Sequence, residues 1–170
     1  MKSPMSKVSQ ILTRKAKRSL RRGAACVEFA FTAPLFVLML LGICEIGRAV
    51  NATSQLTASI REAGRLACMD FTDLIPAGMT ANEKIEQDIR NFLNASGLPS
   101  DQVTIAITHA TGSKEGQTFD LEDSANYLEL FRIDASIPYT AVSGVPLSFM
   151  EDRTLGATIV FRRGRVNMSQ

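Results

Sequence analysis

The chain has 170 residues, a formal net charge of +2 and 45% hydrophobic residues, which fits one domain with an appended segment. The near-neutral total hides an asymmetry: residues 1–23 carry eight basic residues and no acid, leaving 11 of the 19 basic residues against all 17 acids, a formal −6. A basic head on an acidic body is either a nucleic-acid or membrane-surface arm, or the cytoplasmic flank of a membrane segment. Three cysteines, Cys26, Cys44 and Cys68, are too few and odd in number for a disulfide framework, and no CxxC pair or metal-ligand spacing accompanies them. Cys68 is expected as a free structural thiol, with pairing between subunits as the alternative.

The segment after the basic head decides the head's role. Ala24 to Cys44 reads AACVEFAFTAPLFVLMLLGIC, with Glu28 as its single charge. As a helix this run spans about 31 Å, matching a hydrocarbon core of roughly 30 Å. Pro34 and Gly42 are tolerated better in membrane helices than in soluble ones. A domain this small has no core to enclose so long a helix that is apolar all round. The positive-inside rule then places residues 1–23 in the cytoplasm and the remainder across the membrane. A cleaved secretory signal would have a shorter apolar region and an A-x-A-like site; here the run continues into Glu45-Ile46-Gly47-Arg48. A lipoprotein signal needs its apolar segment before the cysteine, whereas here it comes after Cys26. The expected organisation is a basic cytoplasmic leader at 1–23, a transmembrane helix at 24–47 and an extracytoplasmic domain at 48–170.

The junction reads Arg21-Arg22-Gly23-Ala24-Ala25-Cys26-Val27-Glu28-Phe29. A basic leader, a glycine, and an apolar run with glutamate as its fifth residue resemble the processing site of type IV prepilins. More narrowly, GAACVEFAFTAPLF followed by GICEIGR resembles the TadE-like minor pseudopilins of tight-adherence (Flp, type IVb) pili. The stretch Ala58–Ala67 resembles that family's second signature, with Ala63-Gly64 in reversed order. The resemblance covers about residues 21–67. It implies cleavage by prepilin peptidase between Gly23 and Ala24, and a role for Glu28 in pairing with the new Ala24 amine of a neighbouring subunit. It also implies a place in the bacterial inner membrane or pilus. The implied partners are the lipid bilayer, prepilin peptidase, other pilins and pseudopilins, and pilus assembly proteins, with no nucleic acid.

The physics of the junction stands apart from the resemblance. Glycine gives a protease an unhindered backbone. A carboxylate one turn beyond a new amine suits the positive end of the helix dipole. An unpaired charge near the bilayer centre costs roughly 2.5 kcal/mol or more, so pairing favours staggered assembly. The bland alternative has Glu28 at the headgroup boundary, snorkelling to water.

Beyond the apolar run, Ile46, Ala49, Ala52, Leu56, Ile60, Ala63 and Ala67 step by three or four, predicting one helix from about Ala24 to Cys68 whose second half is amphipathic. Glu45 and Arg48 are spaced for an ion pair where the helix leaves the membrane, with a subunit contact as the other reading. A polar break with Asp70, Asp73, Pro76 and Gly78 comes next. Thr80 and Glu83 have capping-box spacing, Ile85, Ile89, Phe92 and Leu93 form a stripe, and Gly97 with Pro99 ends a short second helix.

The period then changes to two. Val103-Ile105-Ile107, Phe131-Ile133-Ala135-Ile137 and Leu155-Ala157-Ile159-Phe161 alternate with small or polar residues, predicting three half-buried strands separated by loops such as Thr111–Asn126. The expected fold class is α+β: a long N-terminal helix, transmembrane then amphipathic, packed on a small antiparallel three-stranded sheet, plus one short helix.

Little in the chain points to chemistry. His109, the only histidine, is expected as a surface or capping residue. Asp120, Glu122 and Asp123 lack EF-hand spacing and read as a solvated acidic loop. Arg162, Arg163 and Arg165 read as a solvated basic end. No Walker loop, GxSxG or HExxH is present. No catalytic, cofactor-binding or metal-binding residue is expected, and the chain reads as non-enzymatic. A signal-anchored extracytoplasmic binding module that is never cleaved is the competing reading.

Overall fold

The computed structural model describes residues 5–69, 75–144 and 152–164, with side chains described from Ala25 onward. The leader side chains, Asp70, Asp73 and Arg165 therefore lie outside the described residues. Helix α1 spans Met5–Ala67, α2 spans Ala81–Ala95, and strands β1 (Thr104–His109), β2 (Leu130–Pro138) and β3 (Thr154–Arg162) come after them. The backbone divides into two units, residues 1–44 and 45–170.

In the first unit, α1 is longer than the sequence pattern predicts. Its backbone is helical from Met5, upstream of the apolar run, and continues through Pro34. Eight of the leader's 23 residues are Lys or Arg, both good helix formers, which favours the extension. Among the described residues, one helix is long and apolar enough to cross a membrane, with a mean hydropathy of 2.1 over its most apolar window. Val27, Phe29, Phe31, Leu35, Phe36 and their apolar neighbours through Ile43 are exposed. A run of bare phenylalanine and leucine of this size marks a surface meant for an apolar environment.

The second unit is α+β, as the change of period predicts. The sheet has the order β1-β2-β3, both pairs antiparallel, with β2 central. Phe131, Ile133, Ala135 and Ile137 are buried on one face of β2. Leu155, Ala157, Ile159 and Phe161 of the edge strand β3 share that face but are only partly covered. Ala52, Leu56, Ile60, Ala63 and Ala67 of α1 join them in one core, together with Ile85, Ile89 and Leu93 of α2. Each large aliphatic side chain so buried contributes about 1.5–3 kcal/mol.

Two positions in the predicted stripes turn out otherwise. Phe92 of α2 is 38% exposed, because Ile85, Ile89 and Leu93 already fill the helix's narrow buried face. Ile46 is 66% exposed, and the residue that takes its place on the buried side is Glu45.

A row of rings crosses the sheet from one edge to the other. His109 lies 4.7 Å from Phe119, Phe119 lies 5.1 Å from Phe131, and Phe131 lies 5.6 Å from Phe161. The row ends against α1 at Gly64, where an added Cβ would collide with the Phe161 ring. His109 is thus 4% exposed, not a surface residue. Its register opposite Phe131 puts it on the apolar face, and its Nδ1 meets Glu129 Oε2 at 3.2 Å.

Helix α2 starts and stops by local chemistry. Glu83 N–H donates to Thr80 Oγ1, while Glu83 Oε2 accepts from Thr80 N–H, the reciprocal box expected from the sequence. The helix ends with Gly97 at φ 82° and a Leu98 N–H to Leu93 O bond of 3.0 Å, a Schellman closure. The loop 111–126 is less a solvated loop than expected. Phe119 and Leu121 are fully buried, Asn82 bridges Phe119 O and Leu121 N–H, and Glu122 Oε1 accepts from Ala81 N–H at 2.8 Å. The acidic loop is a second cap that sets a carboxylate at the positive end of α2.

Gly64→Ala should lower stability despite Ala's better helix propensity, by about 1–3 kcal/mol as an overpacked site, and Phe161→Leu in the same chain should recover much of the loss. Denaturant melts of the four-member cycle measure it. The Thr80 N–H, and then its hydroxyl, hold the Glu83 carboxyl below its ordinary value of 4.5. A lowered folded-state pKa contributes stability above the unfolded value and loses it as pH falls through the folded one. The stability gap between the native chain and Glu83→Gln should therefore narrow as pH drops below about 4.5, as read from melts across that range.

Candidate functional site

The residues singled out by sequence fall in three places along α1. Gly23 and Ala24 belong to its helical backbone, and the Ala24 side chain lies outside the described residues. Glu28 is exposed one turn further on, among exposed Val27, Phe29 and Phe31. Its own carbonyl accepts from Thr32 Oγ1 at 3.0 Å, so the hydroxyl of Thr32 is satisfied within the helix. An exposed carboxylate on an apolar helical surface is a ready partner for a cation brought alongside it.

Glu45 and Arg48 form the third place, and the expected ion pair is present at 3.2 Å. It is part of something larger. Glu45 is 5% exposed although it sits between Cys44 and Ile46 at the end of the apolar run. Its Oε1 accepts from Arg48 Nη1 and from Gly144 N–H, each at 3.2 Å. Its Oε2 accepts from Tyr139 Oη at 3.0 Å and from Ser143 Oγ at 2.7 Å. Two donors on each oxygen is the inventory an ionised carboxylate can use and an amide cannot. The Tyr139–Ala141 turn, closed by Val142 and Ser143 N–H groups on Tyr139 O, places these donors side by side. Arg48 lies directly over Gly144, where a Cβ would strike its guanidinium.

The sequence gives the Glu45–Arg48 spacing but not Tyr139, Ser143 and Gly144, which lie more than ninety positions away. The one available signal was the misfit itself: a glutamate at the helical phase that Ala52, Leu56 and Ile60 later bury.

The far end of α1 is also tied down. Arg163 Nη1 donates to Met69 O at 3.2 Å. Cys68 is free and partly buried. Burial pushes its thiol pKa up, against the opposing pull of the Arg162 backbone and the Arg163 charge, so it is a poor nucleophile. Among the described residues, no cluster of His, Cys, Asp and Glu could hold a metal ion.

Tyr139→Phe should cost about 1.5–3 kcal/mol, the worth of a hydrogen bond to a charged group. Denaturation of the detergent-solubilised chain measures it, with the unsubstituted chain as the reference.

The segment that carries these residues is also where a relationship to known proteins lies. The family model TadE, described as TadE-like protein, matches residues 23–65. No curated protein and no solved structure gives a match. The match opens on the glycine ahead of the apolar run and closes at Arg65, so it takes in Glu28, Glu45, Arg48 and Gly64. Residues 23–65 of α1 are thus similar to TadE-like proteins.

Proposed function

We propose that this chain is a minor pseudopilin: a single-pass protein of a bacterial inner membrane, cut by prepilin peptidase between Gly23 and Ala24. It then takes part in assembling a tight-adherence (Flp, type IVb) pilus or a related secretion apparatus. The leader stays in the cytoplasm, the apolar half of α1 crosses the bilayer, and the α+β unit lies on the far side. The role is structural, without catalysis. Its partners are lipid, the peptidase, other pilins and pseudopilins, and pilus assembly proteins.

The observation that carries this reading is the position of Glu28. It is the one charge in the apolar run, it stands fifth after Gly23, and the TadE-like match begins at that glycine. Cleavage would leave a cationic amine at Ala24, one helical turn from the carboxylate. Within one chain the two fit the helix dipole. Between chains, Glu28 of one copy neutralises the amine of the next, which removes two charges from hydrocarbon at once and sets an axial stagger.

Mass spectrometry of the membrane-extracted protein tests the reading. A mature N-terminus at Ala24 is expected in cells with active prepilin peptidase, and Gly23→Leu should abolish it. Glu28→Ala should leave cleavage intact and reduce assembled pili by at least tenfold. An intact leader in such cells would favour the uncleaved, signal-anchored binding module instead.

A further inference from the structure

We propose that the lipid-facing surface of α1 runs past the apolar run as far as Val50, and that the Glu45 cluster is what allows it. The inference rests on the membrane reading above, but not on cleavage at Ala24. Leu35, Met39, Ile43, Ile46 and Val50 step by three or four in the sequence, the spacing of one helical side, and Ile46 and Val50 are 66% and 60% exposed. The stripe crosses residue 45 without a charge, because Glu45 and Arg48 stand on the opposite side of the helix. There the Glu45 carboxylate is buried and takes hydrogen bonds from Arg48, Tyr139, Ser143 and Gly144. A carboxylate that would otherwise need water at this depth is solvated by the protein's own donors.

The helix just beyond Val50 hides its polarity in the same way. Thr53 Oγ1 donates to Ala49 O, Ser54 Oγ to Val50 O, and Thr57 Oγ1 to Thr53 O, at 2.8–3.0 Å. Hydroxyls returned to the preceding turn leave methyl and methylene groups outward, a device suited to an apolar medium. Arg61 is the first charge beyond them on the same side of the helix. From Ala25 to Val50 the helix rises about 39 Å, which crosses a hydrocarbon core of roughly 30 Å and enters the headgroup region. The occupant of the Ile46–Val50 face is therefore acyl chain and upper headgroup.

The chain has no tryptophan, so one introduced indole reports alone. The full chain carrying Val50→Trp is reconstituted in phosphatidylcholine vesicles with or without bromine near the top of the acyl chains. Bromine should quench V50W fluorescence at least twofold and leave a Phe92→Trp control unchanged. Combining V50W with Tyr139→Phe and Ser143→Ala strips donors from a charged Glu45, and should cut the quenching by half or more. Combining V50W with Glu45→Leu and Arg48→Leu removes both charges of the pair instead, and should keep the quenching. Loss in both combinations would mean that the cluster acts by holding the fold rather than by solvating charge, and would overturn the role assigned to Glu45. Absence of V50W quenching in chains that float with the vesicles would overturn the extended lipid face. So would Val50→Cys copies that cross-link to each other while the indole stays unquenched, which would give the face to a second copy. A chain that does not float would instead defeat the membrane reading itself.

Discussion

The buried Glu45 carboxylate is the constraint around which the second unit is arranged. It lies on α1 immediately after the apolar run, and its hydrogen bonds gather Tyr139, Ser143 and Gly144 from the connection between β2 and β3. A buried charge is stabilising only where its lone pairs are met, and costs several kcal/mol where they are not. The segment 139–144 can therefore lie where it does only with donors turned toward the helix. The small residues around it answer the same demand: the Arg48 guanidinium lies over Gly144, and Ser143 is short enough to reach Oε2 from the loop.

The opposite end of the amphipathic half of α1 is governed by shape instead of charge. Gly64 accepts the Phe161 ring, which closes the row of rings that begins at His109. Between the two ends, Ala52, Leu56, Ile60 and Ala63 lay a smooth apolar face on the sheet. Both ends fall within the TadE-like match at residues 23–65. This segment thus carries both an exposed apolar run and, after it, the α1 residues that pack on the sheet.

Periodicity made most of the fold legible. Alternation of period two located the three strands and their inward residues, and the capping box placed the start of α2 at Thr80. These are local rules, which act within a few residues. What escaped the sequence involved distance. The burial of His109 depends on its partner Phe131 and on Phe119 reaching over from a loop that reads as polar. Phe119 and Leu121 are single apolar residues between acids and small polar residues, with no period to mark them. The α1 stripe differs from its periodic pattern at the first member, because Glu45, with its four donors, outranks Ile46 for the buried side. At the site, the Gly23–Glu28 spacing and the Glu45–Arg48 pair were legible as short-range patterns, whereas the Tyr139, Ser143 and Gly144 donors became visible only through tertiary structure.

The double cap on α2 bears on how the domain folds. Thr80 and Glu83 can close their box as soon as that stretch is made, but Ala81 N–H and the Asn82 amide wait for Phe119–Glu122, some forty residues downstream. The helix therefore has a head start without completion. Its first turn remains free to fray until the later loop arrives and seats its two apolar side chains beneath it. From then on, the beginning of α2 and the 119–122 segment open and close as one cooperative element, and neither reaches full protection against solvent exchange alone.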